Sequence, residues 1–385
     1  MSAIIRPPGP LSDCSIHVRE SAEPAGSPLD VVALPPVARE PPEIPPSVTI
    51  IDVAKRAGVS MKTVSRVLNE EPRVRAEVRE RVALAAKELH YRPKVSARSL
   101  AGSRSYVVGY LLNDPSIPYY GYAQLGALRA CRKAGYHLLV ESVDLGAPDL
   151  RAEIDRLVGD FAVDGFLLVP PLCDNLAILD ALDDAEAPYV RISPAVDPGR
   201  SALVECDDRR AATEMTLHLM DLGHRRIGFV VGDPRHSAAH HRLEGYRHAH
   251  AQRGMAVDGQ LIHQGYFTFR SGYDAAEALL ASPDRPTAIF ASNDAMALGV
   301  MAAAQALALS TPRDLSVAGF DDTASASMVW PALTTVRQPI VDMAEAATEM
   351  IIERSTRKAR PAQSPQLMLH CDLVLRGSTA APPGA

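Results

Sequence analysis

Ten short apolar runs, most of them separated by helical stretches, follow one another from Tyr106 to Arg337, and this alternation limits the fold more than any other feature. Runs without polar alternation suit strands buried on both faces, as in a parallel sheet covered by helices. They fall at 106–112, 136–140, 163–169, 188–192, 202–205, 226–231, 261–264, 287–291, 315–320 and 334–337, with helical patterns at, for example, 121–134, 209–222, 241–253, 271–281 and 294–308. Ten strands exceed what one ordinary doubly wound sheet holds, so the pattern predicts two α/β lobes. The longest apolar segment, Ala295 to Leu309, is broken by Gly299 and Gln305 and reads as a buried helix rather than a membrane span. No basic start followed by an apolar stretch opens the chain, which sets the expectation of a cytoplasmic protein without a membrane partner.

Before this body the texture is different. Residues 1–47 hold eleven prolines, which predicts a disordered or extended N-terminal extension with no assigned role. The formal net charge of the chain is −6, and it is unevenly spread: residues 48–105 carry +7, residues 1–47 carry −3 and the remainder −10. A short basic module on an acidic body points to a polyanion partner for the module alone. The five cysteines (Cys14, Cys131, Cys173, Cys206 and Cys371) are scattered without a C-x-x-C pair and read as reduced thiols.

The basic module has its own logic. Thr49 can cap a first helix on which Ile51, Ala54 and Ala57 share a side, and Gly58 suits the left-handed residue that ends it. Ser60 then caps a second helix. At 100° per residue, Val64, Val67 and Leu68 form its packed stripe, while Lys62, Arg66 and Asn69 take the opposite face with Met61 and Ser65 at the margins. Val74, Val78, Val82, Ala85 and Leu89 supply a third helix that closes a small core. A short helix with a donor-rich outer face is what reading base edges in a major groove requires.

The run from Val48 to Tyr91, with Thr49, Asp52-Val53-Ala54, Ala57-Gly58-Val59-Ser60 and Thr63-Val64-Ser65-Arg66-Val67-Leu68-Asn69 in place, closely resembles the DNA-binding headpiece of the lactose-repressor family. The resemblance continues through Tyr91-Arg92-Pro93 and Ala97 to Gly102, which is similar to that family's hinge helix. It implies that Met61, Lys62 and Arg66 read bases and that Thr49, Ser60, Thr63, Ser65, Asn69 and Tyr91 touch phosphates. Ala97 and Leu100 would lie in the minor groove, Leu100 as a wedge; a contact between headpiece and core is the alternative for Leu100. The divisions that follow are an extension over 1–47, a helix-turn-helix headpiece over 48–93, a hinge over 94–105, an effector-binding and dimerisation core over 106–378, and a flexible tail over 379–385. The fold class is a small all-α headpiece plus a two-lobed, periplasmic-binding-protein-like α/β core. Lobe 1 spans about 106–205 and 338–367, and lobe 2 about 206–337 and 368–378.

Within the core, Leu222 to Gly228, Arg242 to Tyr246, Ser292 to Gly299, Gly319 to Asp322 and Pro331 to Gln338 match the family's motifs. By position, Arg242, Asn293 and Asp321 should bond ligand hydroxyls, with Phe267 as a stacking wall. Asn293 and Asp294 could equally cap the helix that follows, and Asp321-Asp322 could sit in a turn. Val190-Arg191-Ile192-Ser193-Pro194 stands where many relatives carry an aspartate after the strand, and Val169-Pro170-Pro171 lacks a polar strand-end side chain, so Asn113, Asp114, Gln124 and Arg191 are further candidates in lobe 1. Among His236, His240, His241, His248 and His250 no pair has a familiar ligand spacing with a carboxylate or cysteine, so neither metal nor cofactor is expected. Phosphate-loop, dinucleotide and nucleophile-elbow motifs are missing too, which argues against an enzyme.

The resemblance implies a homodimer on a palindromic double-stranded DNA operator, repressing carbohydrate genes until a small sugar closes the lobes and lowers operator affinity. The alternatives are a corepressor-type regulator responding to a purine or phosphorylated metabolite and, more remotely, a cytosolic sugar-binding protein or enzyme.

Overall fold

The structure, a computed structural model, describes residues 48–68, 74–91, 104–161, 163–356 and 364–383. The chain divides into a headpiece unit ending at Tyr91 and a core unit beginning at Arg92. In the headpiece, α1 (Ile50–Ala57), α2 (Met61–Leu68) and α3 (Ala76–Glu88) enclose Val53, Ala54, Ala57, Val64, Val82 and Ala85. Ile50, Val53, Ala54 and Ala57 are spaced i, i+3, i+4, i+7 and so face this core together. Ile51, placed on the packed side by the sequence reading, is instead 47% exposed, because that register turns it outward.

The core unit has two lobes. Lobe 1 begins with β1 (Val107–Leu112), α4 (Pro118–Ala134), β2 (His137–Ser142), α5 (Leu150–Asp160), β3 (Phe166–Leu168), α6 (Leu176–Asp184), β4 (Tyr189–Ile192) and β5 (Ala202–Cys206). Lobe 2 follows with α7 (Asp208–Asp221), β6 (Ile227–Val231), α8 (Ser237–Gln252), β7 (Ile262–Gln264), α9 (Phe269–Leu280), β8 (Ala288–Ala291), α10 (Asp294–Ala306), β9 (Ser316–Ala318), α11 (Ala324–Met328) and β10 (Thr335–Arg337). The chain then returns to lobe 1 for α12 (Ile340–Thr356) and β11 (Gln366–Leu369), and ends on lobe 2 with β12 (Asp372–Val374).

Lobe 1 is built on a parallel sheet ordered β11-β5-β4-β3-β1-β2, and lobe 2 on a parallel sheet ordered β7-β6-β8-β9. β10 and β12 pair antiparallel, joined to the end of β9 by the bridges Ala318–Thr334 and Asp321–Arg337. Parallel strands put their carboxyl ends on one edge, so the strand-end loops of both sheets converge on the space between the lobes. Helices close-pack around the sheets: a methyl group on Gly126 of α4 would lie 2.0 Å from the Val341 carbonyl oxygen of α12.

Two boundaries differ from the sequence reading. β11 stays in the lobe 1 sheet through the Leu369–Cys206 pairing, so the last crossing falls at 370–371 rather than after 367. The segment after 378, expected to be a flexible tail, is docked on lobe 2 by the backbone of Ala380 and the side chain of Thr379. The Ala380 amide donates to Ser316 Oγ at 3.0 Å, its carbonyl bonds His224 Nε2 at 2.9 Å, and Thr379 Oγ1 meets Thr334 Oγ1 at 3.0 Å. Among the described residues no helix is long and apolar enough to cross a membrane.

Candidate functional site

The headpiece presents one face. Thr49 opens α1: its backbone amide and hydroxyl donate to Asp52 at 2.8 and 2.7 Å, and these bonds hold the Asp52 carboxyl below its ordinary range. Gly58 takes φ 64°, the left-handed turn that ends α1. Ser60 then starts α2, its Oγ accepting the Thr63 amide at 3.2 Å and meeting Thr63 Oγ1 at 2.9 Å. With Val64 buried beneath, Met61, Lys62 and Arg66 are exposed, and Thr63 and Ser65 are half-buried beside them. Tyr91 is half-buried against the small core, and burial raises its hydroxyl pKa. Asn69, Ala97 and Leu100 lie outside the described residues.

A cavity of about 520 Å³ lies between the two lobes, walled by the strand-end loops. Lobe 1 contributes Asn113 and Asp114 after β1, Tyr119 and Tyr120 from α4, Pro170 and Pro171 after β3, and Ser193 after β4. From lobe 2 come Asp233, Arg235 and His236 after β6, Arg242 on α8, Phe267 after β7, Asn293 after β8 and Asp321 after β9. Gln338, on a crossing segment, completes the floor. Two of these residues hold unusual backbone: Phe267 has φ 60° and Asp321 φ 111°. Left-handed backbone at large or acidic residues carries strain that clusters at functional sites. Phe267 is packed so closely over β6's end that a methyl group on Gly232 would lie 2.1 Å from its Cζ.

Arg242 organises the cavity floor. Its side chain is 4% exposed; Nε donates to Asp208 Oδ1 at 2.7 Å and Nη2 to Gln338 Oε1 at 3.5 Å, while Nη1 bonds the Ser292 carbonyl and lies 3.6 Å from Asp321 Oδ1. The guanidinium stacks on Phe320, 3.6 Å from the ring centroid. Burial pushes the Asp321 carboxyl up; Arg242 pulls it back, while Asp294 and Asp208 push it further, and the net direction is well upward. Burial likewise raises Asp294 to about 6 against the hydrogen bonds from Thr335 and Thr323. It lowers His236 to about 4, so the ring that stands 5.2 Å from Phe267 is neutral near pH 7. Burial works to raise Asp233, but the Arg235 hydrogen bonds and charge outweigh it and hold the carboxyl low.

The headpiece and core each match a known pattern. Residues 49–94 match the model of bacterial regulatory proteins of the lacI family, and residues 216–379 match a periplasmic binding protein-like domain. Over 330 residues the chain is 34% identical to the ribose operon repressor of Escherichia coli (strain K12), covering 86% of this chain and 99% of the repressor. The chain belongs to the lacI family. Among solved structures, the transcriptional regulator CelR–cellobiose complex superposes with a TM-score of 0.67 at 30% identity, covering 86% of this chain and 99% of that one. The lac repressor dimer bound to operator and the anti-inducer ONPF superposes with a TM-score of 0.72 at 26% identity, covering 87% and 100%. As a lacI-family member the chain is a DNA-binding transcriptional regulator, and these relatives are regulators rather than enzymes.

Against the sequence expectations, the structure gathers Arg242, Phe267, Asn293, Asp321, Asn113 and Asp114 around one lacI-family cavity. Asn293 also caps α10, its Oδ1 accepting the Met296 amide at 2.9 Å and its Nδ2 donating to the Phe267 carbonyl at 3.1 Å. Arg191 and Gln124 are not in the cavity wall. The Arg191 guanidinium is fully buried among loop acceptors, bonding Ser201 Oγ at 2.9 Å, the Val196 carbonyl at 2.7 Å and the Asp197 carbonyl, so it clamps the 193–201 loop. Gln124 sits half-buried on α4 and does not line the cavity. Sequence reasoning missed Ser193, His236 and the buried counter-ion Asp208; Ser193 directly follows β4, whereas His236 lies five residues beyond β6 and Asp208 opens α7, so position alone singles out Ser193. Among the described residues no cluster of His, Cys, Asp and Glu could hold a metal ion.

Proposed function

We propose that this protein is a homodimeric repressor of carbohydrate-utilisation genes, released from a palindromic operator by a small sugar bound between the core lobes. One observation carries the reading: the chain that presents the exposed α2 face of Met61, Lys62 and Arg66 also holds a cavity joining both lobes. In it Arg242, Asn293 and Asp321 supply directional hydrogen-bonding groups and Phe267 an apolar wall, the combination that fits a sugar's hydroxyls and its C–H face. A ligand that touches both lobes shifts them toward closure by its differential affinity for the closed form. Met61, Lys62 and Arg66 read bases, and Thr49, Ser60, Thr63, Ser65, Asn69 and Tyr91 hold phosphates. Ala97 and Leu100 act in the minor groove. Met328 and Trp330, 80% and 92% exposed, supply apolar area that a second copy would cover. A second reading, a purine acting as corepressor, draws on the Phe267–His236 aromatic pair, which suits a planar heterocycle as well as a sugar.

Fluorescence anisotropy with a labelled duplex from the protein's own upstream region, at fixed salt, tests the proposal. Binding weakened by one sugar supports it, whereas binding strengthened by a purine replaces it with the corepressor reading. No specific DNA binding would overturn both.

A further inference from the structure

Among the described residues three segments cross between the lobes, and two of them carry a cysteine at the crossing itself. Cys206 ends β5, Cys371 lies between β11 and β12, and Gln338 lies on the third crossing, between β10 and α12. The ladder pairs Cys206 with Leu369, and the Asp207 amide donates to the Leu369 carbonyl at 3.2 Å, so the two cysteine crossings run side by side. Arg210 Nη2 donates to the Cys371 carbonyl at 3.0 Å and ties that crossing to α7. Both thiols belong to one buried cluster, 4% and 2% exposed, and their side chains share a hydrogen bond. Thiols in such contact reach the roughly 2 Å of a disulfide by side-chain rotation, without refolding either strand end. Cys131 and Cys173, the other described cysteines, bond the His137 carbonyl and the Asp174 carboxylate instead.

The pair is connected to the cavity through the third crossing. Gln338 Nε2 donates to Cys206 Sγ at 3.3 Å, its Oε1 accepts Arg242 Nη2 at 3.5 Å, and Gln338 and Arg242 both line the cavity. A dithiol therefore stands one side chain away from the cavity, on the segments that absorb lobe motion. The hydrogen bond to Cys371, burial and the Asp208 carboxylate together hold the Cys206 thiol well above its ordinary pKa, against the pull of Arg242. In this conformation the pair is inert, and it reacts when the crossings bend and admit solvent.

We propose that Cys206 and Cys371 form a reversible disulfide that locks the hinge, so that a peroxide makes the regulator unresponsive to its effector. The Cys371 sulfur attacks a peroxide oxygen; the O–O bond breaks, one water leaves and Cys371 becomes a sulfenic acid. The Cys206 sulfur then attacks the sulfenic sulfur; the S–S bond forms, the S–O bond breaks and a second water carries off the remaining thiol proton. The two thiols lose two electrons and two protons, hydrogen peroxide is reduced to two waters, and a dithiol reductant reverses the change. Oxidised Cys206 can no longer donate to Asp208, its present contact at 3.7 Å, and its sulfur is drawn from Gln338 toward Cys371. Two of the three crossings then move as one. The lost effector response rests on the carbohydrate reading above; the disulfide and the stiffened hinge do not.

Hydrogen peroxide added to the reduced full chain, followed by tryptic mass mapping, tests the bond. The expected product is a linked pair of peptides carrying Cys206 and Cys371, two hydrogens lighter than their sum and separated by dithiothreitol. Cys206→Ser and Cys371→Ser should each abolish it while keeping the parent's circular dichroism; if a serine variant does not fold, the parent's own map decides the bond. Amide hydrogen exchange at 206–208, 338–340 and 370–372 should slow at least about tenfold on oxidation. In operator anisotropy the oxidised chain should need at least about tenfold more of the sugar that releases the reduced chain. Either serine variant should stay responsive in peroxide. Thiols that remain free, or a disulfide through other cysteines, overturn the proposal, and so does a mapped Cys206–Cys371 bond with unchanged exchange at the crossings. A locked hinge with an undiminished sugar response overturns the switch. If no sugar acts on the reduced chain, the carbohydrate reading fails, and mapping and exchange still decide the disulfide and the lock.

Discussion

Replacing Arg242 by alanine should cost fold stability before any ligand is added. The guanidinium is 4% exposed and Asp208, its partner at 2.7 Å, is 2% exposed. Beyond Arg242, among the described residues, the Cys206 thiol meets the Asp208 carboxylate at 3.7 Å, so the substitution strands a buried charge and also removes the cation nearest Asp321. Breaking a buried pair from one side costs about 3–5 kcal/mol. The stacking on Phe320 is lost as well, but it belongs to the same group and does not add independently. For a domain of this size about 2 °C of melting temperature follows each kcal/mol, so Arg242→Ala should melt roughly 6–10 °C below the parent. Adding Asp208→Asn removes the stranded charge and should recover half or more of that loss, while leaving the cavity without its guanidinium. Melts followed by circular dichroism on the ligand-free protein give both numbers. A single variant melting within about 1 °C of the parent would refute the argument, because it would mean that the ion pair is not coupled to the fold. The double variant is also the better probe of sensing: its loss of sugar response on operator DNA could not be ascribed to a partly unfolded core.

Four further outcomes follow from particular contacts. Gly232→Ala should leave operator affinity unchanged in anisotropy but abolish the effector response, since the added methyl would lie 2.1 Å from Phe267 Cζ and drives the ring into the cavity. Acidification from pH 7.5 to 6 should lower the melting temperature of the parent more than that of a His236→Asn variant. Burial depresses His218, His224, His236 and His250, so the unfolded chain takes up protons first and stability falls as pH drops below the ordinary histidine value near 6.5. His236, held at about 4, contributes about 1 kcal/mol of that change, which His236→Asn should remove; Asp294, raised to about 6, and Asp321, raised further, take up protons in the folded state and offset part of the trend, so the readout is the difference between parent and variant. Arg66→Ala should weaken binding to the cognate duplex by about 1–3 kcal/mol and relax sequence preference at one position, measured by anisotropy against single-base variants. Truncation after Gly377 should lower the melting temperature, because it removes the partners of His224, Thr334 and Ser316; an unchanged melt would restore the view of a loose tail.

What the sequence made legible depended on whether the signal was local. Each of the ten apolar runs overlaps a strand, β1 to β10; the central strands are buried on both faces and must be apolar wherever they sit, while the edge strands β2 and β7 are only partly buried. β11 and β12 left no such trace. The β11 side chains are mostly exposed, and its strand character comes from pairing with β5, about 160 residues earlier in the chain. The docked segment after 378 is held in part through backbone atoms of Ala380, which no side-chain pattern can announce. Arg191 shows the opposite error. A charge at the end of a buried strand marks an anomaly, but its cause is the carbonyl-rich 193–201 loop folding back over the strand. Two residues later, the positive φ of Ser193 breaks the strand's alternation and delivers an ordinary serine to the cavity instead. Asn293 resists division between the two readings, since one amide caps α10, braces Phe267 and lines the cavity. Its substitution would therefore disturb fold and sensing together. The same holds for Arg242, whose guanidinium both pairs with the buried Asp208 and lines the cavity.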